Sequence, residues 1–266
     1  MPNISNTFAE IKDKCALIPF ITAGDPDLLT TRKALRILAE EGADIIELGL
    51  PYSDPLADGL TIQAASARAI KSGVTLDKIL QMVKQVTSEI QSPLIAFTYY
   101  NIVLNQGIAQ FVRKIADAGF KGLIIPDLPV EEVEGLEDIC RGNNLELVLL
   151  VGPNSSEKRI RRIVAKSQGC VYLVSSSGVT GMSFGPEKGI PTLIQKIKQI
   201  SNIPLILGFG ISNREEIQLV KSWHVNGVVI GSSFVKRLYE DSANNYLYLL
   251  LFREYCRYVI VALYAY

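Results

Sequence analysis

The chain has 266 residues, 48% of them hydrophobic, and Lys plus Arg balance Asp plus Glu at 27 each, so the formal net charge is zero. That length and apolar share suit one large domain, residues 1–266, with a full core. The balanced charge excludes the basic stripe of a nucleic-acid surface, whereas a small anion stays open because backbone amides bind one without net positive charge.

The N-terminal MPNISNTFAEIKDK lacks the positive segment and apolar core of an export signal, and a short helix is expected there, ahead of the first strand. Strands are then predicted at 16–21, 44–50, 93–99, 122–127, 145–151, 170–175, 204–210 and 227–232, each a short β-branched run bounded by Gly, Pro, Asp or Asn. Amphipathic stretches separate them. Residues 28–43 place Leu28, Ala34, Leu35, Leu38 and Ala39 on one stripe and stop at Gly42. Residues 108–120 turn Phe111, Ile115 and Ala118 inward and stop at Gly119. Residues 155–169 open at a Ser cap and expose Lys158, Arg161, Arg162 and Lys166. Strand–helix alternation implies a parallel sheet, and eight units in this length imply an α/β fold of the (β/α)8 TIM-barrel type. An open doubly wound sheet would carry a Gly-rich first turn, where ITAGDPD stands instead. Cys15, Cys140, Cys170 and Cys256 form no close pair, which points to a reducing compartment rather than a disulfide framework or a zinc site. The one histidine, His224, excludes a multi-histidine metal site; beside Trp223 at a predicted helix end it reads as a loop or packing residue. The apolar, tyrosine-rich tail 244–266 is atypical, but its uninterrupted apolar runs are too short to span a membrane, and a docked terminal helix is expected.

Barrel chemistry collects at the C-terminal ends of the strands. In DIIELGL the alternation of side chains puts Ile45, Glu47 and Gly49 on one face and Ile46 and Leu48 on the other. The helix layer needs apolar cover, so Glu47 points into the barrel. The remaining strands offer it almost no Lys or Arg, and a carboxyl buried among apolar groups is raised toward neutrality, where it can both accept and donate a proton. The loop GLPYSDPLADG follows. Asp54 and Asp58 both suit turns, yet Asp58, just before Gly59 and a helix expected to open at Thr61, can hang over the mouth opposite Glu47. One dry and one wetter carboxyl can divide acid and base roles.

Three later segments are rich in glycine and hydroxyls: SSSGVTG (175–181), GFGIS (208–212) and IGSS (230–233). Glycines admit a ligand close to backbone N–H groups, and helix N-termini add unpaired donors, so a phosphate site is expected there. Phe20, Tyr99, Tyr100, Tyr172 and Phe209 lie at or near strand ends around the same mouth. The combination suggests a flat apolar ligand with a phosphorylated tail.

These segments resemble the tryptophan synthase alpha subunit family. The matching runs are PFITAGDPD, ADIIELGLPYSDPLADG, IQAASARAI, TYYN, GLIIPDLPVEE, SSSGVTG, LGFGIS and GVVIGSSFVK, in the family's order. The resemblance implies a lyase that cleaves indole-3-glycerol phosphate to indole and glyceraldehyde 3-phosphate by a retro-aldol reaction. It implies that Glu47 takes the hydroxyl proton and protonates the ring carbon, while Asp58 holds the indole N–H. It places Phe20, Tyr99, Tyr172 and Phe209 in the substrate pocket, and Gly181, Gly210, Gly231 and Ser232 at the phosphate. Thr180 falls in the family's closing loop, which touches Asp58. A beta subunit is implied as partner in an alpha2-beta2 tetramer, contacted through Asp54, Pro55 and Leu56. Pyridoxal phosphate is expected on that partner and no cofactor in this chain. Tyr52 and Leu60 depart from the family's usual Phe and Pro, and loss of that proline would loosen the Asp58 loop. Three other readings stand beside this one: another phosphate-binding barrel of related aromatic metabolism, a non-catalytic barrel that activates a beta partner, and a free-standing lyase that releases indole. The expected location is the cytoplasm, or the plastid stroma for a plastid-encoded chain.

Overall fold

The computed structural model describes residues 1–12, 14–174, 189–209, 213–240 and 247–264, with only the backbone of Phe209. The eight apolar runs form β1 (Ala16–Thr22), β2 (Ile46–Gly49), β3 (Leu94–Phe97), β4 (Gly122–Ile124), β5 (Glu146–Val151), β6 (Val171–Val174), β7 (Leu205–Phe209) and β8 (Gly227–Ile230). Each strand pairs in parallel with the next, and β8 returns to β1 from Ala16↔Gly227 to Pro19↔Ile230, closing the barrel. Most strands are shorter than the apolar runs predicted, because the runs continue into the loops that line the mouth. Tyr99 and Tyr100 thus lie beyond β3, where Tyr99 caps and Tyr100 opens a helix.

The helices are α1 (Ile4–Ile11), α2 (Leu28–Glu40), α3 (Leu60–Lys71), α4 (Leu76–Val86), α5 (Tyr100–Gln106), α6 (Ile108–Ala118), α7 (Leu136–Gly142), α8 (Glu157–Lys166), α9 (Ile190–Ile200), α10 (Arg214–Ser222), α11 (Ser232–Glu240) and α12 (Tyr248–Tyr264). Local chemistry sets their ends. Asp27 caps α2 by accepting from Thr30 N at 2.8 Å, and Ser156 caps α8 by accepting from Arg159 N. α6 stops where Gly119 takes φ 106°, a value that disfavours any side chain. Lys166, expected in solvent, is half-buried and pairs with Glu137 at 3.0 Å.

Strand alternation separates two cores. Ala16, Ile18, Phe20, Ile45, Ile95, Ile124, Val148, Cys170, Ile206 and Val229 fill the barrel, while Leu17, Ile46, Leu48, Leu94, Leu147 and Leu173 join the helix layer. α1 plugs the N-terminal end, where Ile4 and Phe8 belong to the interior cluster. A Cβ on Gly122 would stand 2.3 Å from Ile4 Cδ1, so glycine is what lets the plug seat there. The opposite, C-terminal end is left for chemistry.

The atypical tail docks as a helix. α12 buries Phe252, Cys256, Val259, Ala262 and Leu263 on a surface made with α2, α10 and α11. Arg253 bridges Glu40 and Glu41, Arg257 joins Glu41, and the Tyr264 hydroxyl donates to Asp44 at 2.9 Å. No described helix is long and apolar enough to cross a membrane. All four cysteines are buried free thiols. His224 is exposed in the loop after α10.

Candidate active site

β2 carries Glu47 into the barrel, in register with Phe20 on β1 and Ile95 on β3. The flanking Ile46 and Leu48 face the helices, as the alternation required. Glu47 is fully buried, and neither carboxyl oxygen has a hydrogen-bond partner among the described residues. Desolvation is the cause that lifts its pKa from 4.5 to about 8. A buried polar group left unsatisfied is costly, and such groups concentrate where they are used.

Asp58 closes the loop after β2 and is 5% exposed against 0% for Glu47, so the contrast of a dry and a wetter carboxyl is narrower than expected. Both are dry, because the Asp58 loop folds down against Tyr99 rather than standing out in solvent. They differ in what faces them. The Tyr99 phenol faces Asp58 and favours its ionised form, whereas Glu47 has no partner among the described residues. Burial raises Asp58 from 3.8 to about 6, and the Tyr99 phenol opposes that rise. At neutral pH the two values leave Glu47 mostly protonated and Asp58 mostly ionised: one acid and one anion.

The loop is well tied. Leu50 N donates to Phe97 O at 2.8 Å, Asp58 N to Pro55 O at 3.0 Å, and Ala57 N to the Tyr99 hydroxyl at 3.1 Å. Gln63 Nε2 reaches back to Asp58 O at 2.7 Å. Leu60, 83% exposed, opens α3 one residue earlier than expected, at the position where proline is favoured. These bonds tie the loop in the absence of that proline.

Two glycines make room for the aromatic walls. A Cβ on Gly49 would lie 2.5 Å from Phe20 Cζ, and one on Gly208 would lie 1.9 Å from the Tyr172 oxygen. Phe20 also meets Phe97 edge-on, with ring centroids 5.5 Å apart. Tyr172 is half-buried, and burial first, then the charges of Glu47 and Asp58, push its phenol well above the ordinary range. Phe20, Tyr172, Glu47 and Asp58 therefore share one mouth. Thr22, next along β1 on the Phe20 face, is buried with its hydroxyl unpartnered among the described residues. Sequence reasoning passed over it, although its spacing of two from Phe20 was the available signal.

At the end of β8, Gly231 and Ser232 stand at the start of α11, and Gly231 O accepts from Val235 N at 3.0 Å as the first helical bond. The first amides of that helix have no intrahelical acceptor and face an anion favourably. Thr180, Gly181 and Gly210 lie outside the described residues, as does the side chain of Phe209. Asp54, Pro55 and Leu56 precede Asp58 in the same loop, and Pro55 O accepts from Asp58 N. Asp54 is exposed, its carbonyl accepts from Leu56 N at 3.0 Å, and Leu56 is 74% exposed.

Comparison with known proteins gives a family for this arrangement. The family model described as "Tryptophan synthase alpha chain" matches residues 8–258. A tryptophan synthase alpha chain of Pyropia yezoensis is 55% identical over 238 residues, covering 90% of each chain. That of a Synechocystis strain is 50% identical over 246 residues, covering 92% of each. Among solved structures, a Mycobacterium tuberculosis tryptophan synthase chain superposes with a TM-score of 0.88 at 32% identity, covering 98% of this chain and 97% of that one. A chain of the tryptophan synthase complex of Pyrococcus furiosus gives 0.83 at 33% identity, covering 93% and 98%.

Proposed function

Since the chain belongs to the tryptophan synthase alpha chain family, the lyases that cleave indole-3-glycerol phosphate to indole and glyceraldehyde 3-phosphate in tryptophan biosynthesis, we propose that Glu47 and Asp58 carry its proton chemistry. The observation that carries this reading is the fully buried, unpartnered Glu47 carboxyl, held near pKa 8. Glu47 starts protonated and gives its proton to the indole ring carbon that bears the glycerol chain. The ring nitrogen becomes cationic, and ionised Asp58 stabilises that charge at the N–H. The carbon–carbon bond then breaks, its electron pair restores the aromatic ring, and the neighbouring hydroxyl becomes the aldehyde. Glu47, now a carboxylate, accepts the hydroxyl proton and is ready for the next turnover.

Phe20, Tyr99 and Tyr172 wall the ring, and Gly231 and Ser232 anchor the phosphate at the start of α11. The family resemblance assigns Phe209 to the same wall, Gly181 and Gly210 to the phosphate, and Thr180 to a covering loop. Indole release by wild type, Glu47→Gln and Asp58→Asn tests the assignment. A fall of at least about a hundredfold is expected in each variant, since acid–base groups contribute on that scale. Wild-type turnover in Glu47→Gln would overturn it.

A beta subunit is the proposed partner, in an alpha2-beta2 tetramer that places the pyridoxal phosphate of the second reaction on beta. Support comes from the tryptophan synthase complex of P. furiosus among the structural relatives and from exposed Leu56 beside Asp54. Sedimentation of the chain mixed with a beta subunit should show the tetramer, whereas unmixed species with full indole release would favour a free-standing lyase. Four buried free thiols suit a reducing compartment, cytoplasm or plastid stroma.

A further inference from the structure

Asp58 is held by one side chain whose own setting reaches to the surface. The Tyr99 hydroxyl accepts from Ala57 N, on the residue before Asp58, at 3.1 Å, and it lies close enough to the Asp58 carboxyl to hold down that group's pKa. The Tyr52 ring stacks on Tyr99 with centroids 5.1 Å apart and planes at 29°. Asn101 Nδ2, on α5, donates to the Tyr52 hydroxyl at 3.0 Å. Tyr99 sits at the N-cap of α5, so the stack links the loop after β2 to the segment after β3. One phenol therefore ties down the backbone next to Asp58 and faces its carboxyl, and a second ring keeps that phenol in place.

We propose that Tyr99, braced by Tyr52, is the positioning residue for Asp58. The inference rests on the reading that Asp58 must be ionised to stabilise the indole cation. Burial and the neighbouring Asp58 charge raise the Tyr99 phenol far above its ordinary value, so it remains a donor throughout the working range. A donor favours the ionised form of its partner. The other titratable groups turned toward this pair among the described residues are Tyr172 on β6 and Asp127 beyond β4, and neither is a cation that could replace the phenol.

The test compares the pH dependence of kcat/KM for indole release in wild type, Tyr99→Phe, Tyr52→Leu and Tyr52→Phe. In Tyr99→Phe the acid limb should move up by about one pH unit, as loss of a donor facing the Asp58 carboxyl allows. The loss relative to wild type then deepens about sixfold between pH 7.5 and pH 5.5. Tyr52→Leu should move the limb the same way by less, and Tyr52→Phe, which keeps the ring, should largely restore it. A limb set by the substrate phosphate would move in none of them. Retained binding of glycerol 3-phosphate shows that each variant is folded at the site. Superimposable limbs in Tyr99→Phe and wild type, or a loss equal at every pH, would overturn the inference. If Asp58→Asn keeps wild-type turnover, the Asp58 role itself fails; if Asp58→Asn is inactive and the Tyr99→Phe limb is unmoved, only the positioning role fails.

Discussion

Replacing Glu47 with Gln separates what burial of the carboxyl costs from what it does. The folded protein holds this proton up to about pH 8, whereas an ordinary glutamate releases it at 4.5. Between those values the folded state binds more protons than the unfolded state, so stability falls as pH rises. Below pH 4.5 both states keep the proton and there is no penalty. At about 1.4 kcal/mol per pH unit, the penalty grows to about 3 kcal/mol at pH 7 and levels off near 5 kcal/mol above pH 8. That is a large part of an ordinary domain's stability, about 5–15 kcal/mol. Gln has nearly the same shape, is polar, and stays neutral throughout. Glu47→Gln should therefore match wild type in urea unfolding at pH 4.5, exceed it by about 3 kcal/mol at pH 7, and exceed it by more at pH 9, while releasing almost no indole. Parallel stabilities of the two proteins from pH 5 to pH 9 would refute the claim that the carboxyl is buried without a partner.

The same two ionisations shape catalysis: turnover needs Asp58 ionised and Glu47 protonated, so kcat/KM should trace a bell with limbs near pH 6 and pH 8. A profile flat from pH 5 to pH 9 would contradict it. Gly208→Ala puts a methyl 1.9 Å from the Tyr172 oxygen, and displacing the ring from the pocket should lower kcat/KM at least about tenfold, while overpacking costs about 1–3 kcal/mol in thermal unfolding. Phe252 is fully buried in α12 and meets Phe234 at 5.8 Å. Phe252→Ala should destabilise the protein by about 3–5 kcal/mol in urea. A destabilisation below about 1 kcal/mol would show that the tail is not part of the core.

The eight strands and the inward turn of Glu47 were legible because alternation and turn residues are local signals. Ile46 and Leu48 could satisfy the helix layer only from one face, and that settled the direction of Glu47 between them. The helix stop at Gly119 and the Ser cap of α8 were legible for the same reason, since each acts within four residues. Strand ends were less so: the predicted runs extend through 98–99 and 125–127, past the hydrogen-bonded ladder, and sequence does not mark where pairing stops.

By itself, the order of apolar and polar residues determined the barrel, the inward acid on β2 and the glycine-bearing turns at the strand ends. Only the folded arrangement decided how dry Asp58 is, because its burial depends on Tyr99 and Tyr52, more than forty and six residues away along the chain. It also decided that Lys166 turns to Glu137 and that the odd tail covers α2, α10 and α11. Solvation and pairing are set by neighbours that the chain brings from afar, and a linear pattern carries no record of those distances.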